Sequence, residues 1–234
     1  MFIKIILEIL GLEIEDLNLL LDNIKKHLPE KNKLLVLGDA ELYFDKNIYE
    51  KLCNFKKFPI KKTNKTFDIF ALGYSLGFKE VETLDINGKA TLNINLQKEL
   101  PKSLLSKYDL IIDSGVLFWC FEPGLALKNI FKMASKGCLI FHVCSLSGHY
   151  GTGYYNIHPK LFEDFYFLNN CTFINSSYRC KPKRFKYSWF SVRRKLFPIG
   201  SIIKSSFITN YLNQGNIFLF KCSRNKIFFK NIKN

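Results

Sequence analysis

Between residues 108 and 143 the chain runs apolar, then helical, then apolar again, and this triplet limits the fold more than any other feature. "YDLIID" (108–113) and "CLIFHV" (138–143) are short, nearly unbroken apolar runs of the kind that strands buried on both faces require. Between them, "PGLALKNIFKMAS" (123–135) has helical spacing, a proline near its start and "KG" as its stop. A strand, a helix and a strand at this length predict a crossover between parallel neighbours. An open α/β sheet is therefore expected.

The flanks fit that plan. "EDLNLLLDNIKKHL" carries a leucine stripe and stops at Pro29, so residues 1–30 are expected to form an N-terminal helical segment. "KLLVLG" reads as a buried strand entering a turn at Gly38, and "NIYEKLCNF" and "TFDIFALGYSLGF" as helices around a Lys-rich loop. "EVETLDI" and "ATLNINL" are short strands separated by the turn signal "NGK". "HPKLFEDFYFLN" is a further helix and "CTFINSSY" a further strand. The late strand "GNIFLFKCS" has no preceding helix long enough for a crossover and should enter the sheet antiparallel. The whole is expected to be one domain, with residues 179–215 a basic, aromatic insertion before the last strand.

Composition narrows the setting. The 234 residues, 47% apolar and 24% charged, suffice for one full core. The longest apolar runs are broken by charge or glycine before the roughly 18 residues that a membrane span needs. The acidic residues Glu8, Glu13, Glu15 and Asp16 speak against a signal peptide, so a cytoplasmic location is expected. Seven cysteines at irregular spacings, with no CxxC pair, read as reduced buried thiols, and no metal site is expected. The formal net charge is +15, and 14 of the 35 basic residues fall in residues 179–234, a stretch without Asp or Glu.

One stretch carries a resemblance. "YDLIIDSGVLFWCFEPGLALKNIFKMASKGCLIFHVCSLSGHYGTGYYNIHPKLFEDFY" (108–166) resembles the pattern "fDlViDgGtlEHvf…alkNi…lkpGG…GhGfYqfsPelFydff" of a bacterial group of class I S-adenosylmethionine-dependent methyltransferases, often met near surface-sugar genes. Upstream, "ALGYSLGFKEVETLDINGKATLNINL" (71–96) is similar to the same group's "aLGf.eveslDvs..egAtiihDLn". Together these segments span about half of the chain. The resemblance implies a Rossmann-like, doubly wound α/β sheet, mostly parallel with an antiparallel C-terminal strand. It also implies S-adenosyl-L-methionine as cofactor, bound at the carboxyl ends of the strands.

Carried over residue by residue, the resemblance implies that Gly38 lets the backbone pass close to the cofactor and that Asp39 faces its ammonium group. An ordinary strand-to-helix turn capped by Asp39 is the alternative. Asp85 falls where an acid accepts from both ribose hydroxyls, or else simply starts the turn before "NG". Asn95 stands at the position that often touches adenine, and Asp113 with Gly115 would line the central cleft. The group's acid and histidine are replaced by Phe118 and Trp119, which removes a proton-transfer pair and predicts an aromatic acceptor side.

Methyl transfer needs alignment, and a base when the acceptor is a hydroxyl. His149 and Tyr154, in the loop "SLSGHYGTGYYN", are the candidate base or orienting groups, although a loop histidine is more often a surface or structural residue. His142 reads as a core histidine and His158 as a helix-entry residue. Between Lys181 and Lys195, seven Lys and Arg alternate with Phe185, Tyr187, Trp189 and Phe190. That mixture suits RNA, a sugar phosphate or an anionic surface, or a solvated insertion whose aromatics pack on the domain. Two functions stand: a methyltransferase acting on a hydroxyl or amine of a sugar or small metabolite, and a catalytically silent protein of the same fold that binds a partner or an anionic surface.

Overall fold

The strand Lys33–Leu37 (β2) lies in the interior of the sheet because it is apolar on both faces: Leu34 and Val36 enter one core, Leu35 and Leu37 the other. The structure, a computed structural model, describes residues 11–61, 66–146, 153–180 and 214–222, with backbone only for 178–180 and 214–222. Before β2 come the two-residue strand Gly11–Leu12 (β1) and the helix Ile14–His27 (α1). The Asp16 carboxylate accepts the Glu13 N–H at 2.8 Å at the helix start, and Leu17, Leu20, Leu21 and Ile24 are fully buried.

After β2 follow Glu41–Leu42 (β3), the helices Lys46–Phe55 (α2) and Ile69–Ser75 (α3), and the strand Glu80–Asp85 (β4). Asp45 and Asp68 cap α2 and α3, each accepting a backbone N–H at 2.8 Å. Then come Leu92–Asn93 (β5), Tyr108–Asp113 (β6), the helix Pro123–Met133 (α4), Ala134–Ser145 (β7), Pro159–Leu168 (α5), Cys171–Cys180 (β8) and Gln214–Cys222 (β9). Two expectations need adjusting. The seventh strand begins at Ala134 instead of residue 138, because Ala134 pairs with Tyr108 and the register shifts before Leu110. Only Leu92 and Asn93 of "ATLNINL" pair, since β5 is the sheet's outermost strand on that side.

The seven-stranded sheet has the order β5-β4-β2-β6-β7-β9-β8. Every pairing is parallel except those of β9, which enters antiparallel between β7 and β8, as expected for a strand without a crossover helix. From β2 the chain proceeds to β4 on one side and returns to β6 on the other, so the order reverses at β2. Open α/β sheets bind ligands at the carboxyl side of such a reversal. The helices α1, α2 and α3 cover one face and α4 and α5 the other, each over its own apolar cluster. Cys53, Cys120, Cys138 and Cys144 are buried free thiols, as read from their spacing, and Cys171 is half-buried. Among the described residues no helix is long and apolar enough to cross a membrane.

Candidate functional site at the carboxyl edge

Two strand ends meet at the reversal. Gly38, directly after β2, has φ +81°, and a Cβ there would stand 2.9 Å from Cγ2 of Val116, so both the backbone conformation and the close approach require glycine. Its N–H donates to the Leu84 carbonyl at 2.8 Å. The next N–H, of Asp39, donates to Oδ2 of Asp85 at 3.1 Å. The loops after β2 and β4 are thus laced together by Gly38, Asp39 and Asp85.

Asp85 takes the turn-starting role considered for it. Its Oδ1 accepts the N–H groups of Ile86 (2.6 Å) and Asn87 (3.1 Å), which starts the "NG" turn, while Oδ2 leans across to Asp39. A carboxylate offers about four lone-pair positions. Three are engaged here, leaving room for one strong hydroxyl contact instead of two. The Asp39 side chain is exposed and lies 3.9 Å from the Lys89 ammonium. Asn95 is half-buried beside this edge. Its Oδ1 accepts the Gln97 N–H at 2.9 Å, and Asn129 on α4 clamps the following stretch by donating to the carbonyls of Leu96 (2.8 Å) and Lys98 (2.7 Å).

The second half of the edge departs from expectation. Asp113 does not line an open cleft; its side chain is 0% exposed. Oδ1 accepts from Gly115 (3.2 Å) and Val116 (2.8 Å), and Oδ2 lies 2.8 Å from Nδ1 of His142 on β7. Nε2 of His142 lies 2.7 Å from the Tyr166 hydroxyl on α5, and both residues are also 0% exposed. The sequence reading of His142 as a core histidine is right about burial but misses its two partners. Gly115 has φ +106° and forms the turn that this carboxylate holds. Burial, then the Asp113 charge, pushes the Cys120 thiol up to about 12, and the same two causes push Cys144 well above its usual range.

The expectation of an acceptor side lined by Phe118 and Trp119 is corrected for Phe118, which is only 2% exposed and packs in the core. The reason is the returning loop: the N–H groups of Tyr154 (2.7 Å) and Tyr155 (3.3 Å) donate to the Phe118 carbonyl, and Gly153 lies against its ring. Trp119 is half-buried, its indole N–H without a partner among the described residues; the Ser114 hydroxyl is likewise buried and unpartnered. Of the exposed aromatics here, Tyr154 was singled out from the sequence, as a candidate base or orienting group, whereas Phe121 and Tyr155 were not. Phe121 (71% exposed) meets Tyr154 (66% exposed) edge-on at 6.1 Å, and the Tyr155 hydroxyl donates to the Phe121 carbonyl at 3.0 Å. Tyr154 therefore belongs to this edge. His149 and residues 181–195 lie outside the described residues. His158 caps α5, accepting the Lys160 N–H at 3.1 Å.

No family model and no curated protein sequence matches the chain. Solved structures do. A putative methyltransferase from Bacillus halodurans C-125 aligns with a TM-score of 0.53 at 8% identity, covering 86% of this chain and 95% of that one. The N-methyltransferase NodS from Bradyrhizobium japonicum WM9 aligns with a TM-score of 0.50 at 11% identity, covering 90% and 95%. With its strand order, its one antiparallel strand and these likenesses, the chain has the Rossmann-like fold of the methyltransferases.

Proposed function

We propose that the chain is an S-adenosylmethionine-dependent methyltransferase, with the cofactor lying across the carboxyl ends of β2, β4 and β6. The observation that carries this reading is the lacing of Gly38, Asp39 and Asp85, which fixes a half-buried carboxylate with one unused acceptor position beside a glycine that the turn requires. The residues fit the group: Asp85 can accept a ribose hydroxyl through its unused acceptor position. Asp39 offers its carboxylate to the ammonium group by exchanging the exposed Lys89 contact, which costs little.

The bound cofactor supplies a methyl group on a positively charged sulfur. What this chain contributes is placement. Phe121, Tyr154 and Tyr155 offer ring faces and edges on which a planar or ring-shaped acceptor stacks. The Tyr154 hydroxyl would orient a hydroxyl or amine acceptor, and the His149 imidazole is the group that would accept the acceptor's proton. A sugar or other small metabolite is the acceptor class that this side suits.

A second reading, a binding protein of this fold without catalysis, has one observation in its favour. The turn after β6 gives up Phe118 to the core and keeps no acid or histidine for proton transfer. In that reading the basic residues between 181 and 195 engage RNA or another anionic surface. Calorimetric titration with S-adenosylhomocysteine decides between the two. Micromolar affinity, roughly −8 kcal/mol, lost at least tenfold in Asp85→Ala, supports the first reading. No heat and no thermal shift at millimolar ligand would remove it, and salt-dependent binding to heparin or RNA would then support the second.

A further inference from the structure

Asp113, His142 and Tyr166 lie on three different elements, and each is fully buried. One set of proton positions satisfies all three with a neutral imidazole: the Tyr166 hydroxyl donates to Nε2, Nδ1–H donates to Oδ2 of Asp113, which the Cys144 thiol also approaches at 3.9 Å, and Oδ1 accepts Gly115 and Val116. The imidazole is stacked on Phe162, with ring centroids 4.6 Å apart. The chain does not stop at the carboxylate. The Val116 N–H that it holds belongs to the residue whose side chain fills the space over Gly38. A continuous series of contacts thus runs from α5, through β7 and β6, to the loop laced to Asp85.

We infer that His142 and Tyr166 are positioning residues: they set the turn Ser114–Gly115–Val116 against Gly38 and so hold the cofactor loop in its binding shape. This rests on the methyltransferase reading for what the loop binds, but not for the coupling itself. A carboxylate in a dry site keeps one orientation only while both of its oxygens are paired. Without the Tyr166 hydroxyl, Nε2 is unpaired in a dry site and nothing fixes the tautomer or the ring; once Nδ1 stops donating, Oδ2 keeps only the Cys144 thiol, 3.9 Å away, and the carboxylate can rotate from the turn it defines.

The test uses Tyr166→Phe, which removes one hydroxyl and keeps the ring packing, and Ile24→Val on α1 as a core change on the opposite face of the sheet. Amide exchange is followed at Gly115, Val116, Gly38 and Asp39, and S-adenosylhomocysteine affinity is measured for the same proteins. The inference expects protection at these four amides to fall about tenfold in Tyr166→Phe. Ile111 and Leu35 in the strand interiors should be unchanged, and Ile24→Val should leave the four amides alone. Ligand affinity should fall with the protection. Protection that stays put in Tyr166→Phe, or that falls equally throughout the sheet, overturns the inference. A wild-type protein that binds no S-adenosylhomocysteine removes the functional reading alone, because the exchange pattern still decides the coupling.

Discussion

Asp85 and Asp113 end two strands that flank β2 on either side, and in sequence they look alike: a short strand pattern, an aspartate, then a glycine within three residues. Each accepts backbone N–H groups from its own turn through one oxygen. They differ at the other oxygen. At Asp85 it meets the Asp39 N–H at the surface, and at Asp113 it meets an imidazole in the core. The first carboxylate stays available to a ligand, and the second is consumed in holding the fold. What a strand-end aspartate does is decided by the neighbouring strand, not by its own motif.

The sharpest way to break this contrast is to delete both acids. Asp113→Ala leaves His142 with an unpaired buried N–H and frees two turn amides, and should cost about 3–5 kcal/mol in urea denaturation. Asp85→Ala should cost only about 1 kcal/mol, as for a lost surface cap, while abolishing most ligand binding. Equal stability losses would mean that the two sites are not different in kind.

Gly153→Ala tests whether the returning loop is what seals the Asp113 side. The new Cβ would lie 2.5 Å from the Phe118 ring at φ +70°, so a loss of about 2 kcal/mol is expected. Phe118 fluorination and 19F NMR would show the ring shifting, and an unmoved ring with unchanged stability contradicts the seal.

The thiols beside Asp113 give a pH signature that Asp85 lacks. The unfolded chain releases their protons near the ordinary 9.0, whereas folded Cys120 keeps its proton to about 12 and Cys144 is also raised. Proton binding therefore favours the fold, so stability is level below pH 9 and falls as pH rises from 9 toward 12. At pH 10 Cys120 should account for about 1 kcal/mol, and Cys144 acts in the same direction. Cys120→Ala should flatten the decline, and a decline of unchanged slope would place its origin elsewhere. The smallest effect is at the exposed side: Lys89→Ala should change stability by less than about 0.5 kcal/mol. Tighter ligand binding at low salt in that variant would show Asp39 freed for an ammonium group, and weaker binding would assign Lys89 itself to the ligand.

Much of the fold was legible because periodicity and punctuation are local. The crossover from Tyr108 to Ser145, the leucine stripe of α1 and the antiparallel entry of β9 could all be read from runs and stops. The site was half legible. Gly38 and Asp85 came from a motif at a strand end. His142 and Tyr166 could be found only by setting β7 in register with β6, where Asp113 faces His142, and by noting that position 142 shares its face with Cys138 and Ile140 toward α5. The burial of Phe118 depends on a loop some thirty-five residues downstream, which no local pattern encodes.

The place of β9 has a consequence for synthesis. β7 pairs with β6 as soon as both exist, yet its other edge waits for a strand that begins at Gln214. At about 5–20 residues per second, the ribosome needs roughly 3 to 14 seconds to travel from the end of β7 to the start of β9. Throughout that interval the run "CLIFHV" offers unpaired backbone along one side, and β8 has been made without a neighbour to join. The nascent chain is thus most open to mispairing while the stretch between β7 and β9 is being made. A protein of this design should depend on what meets the emerging chain during those seconds, and slower decoding after residue 180 should lower its soluble yield.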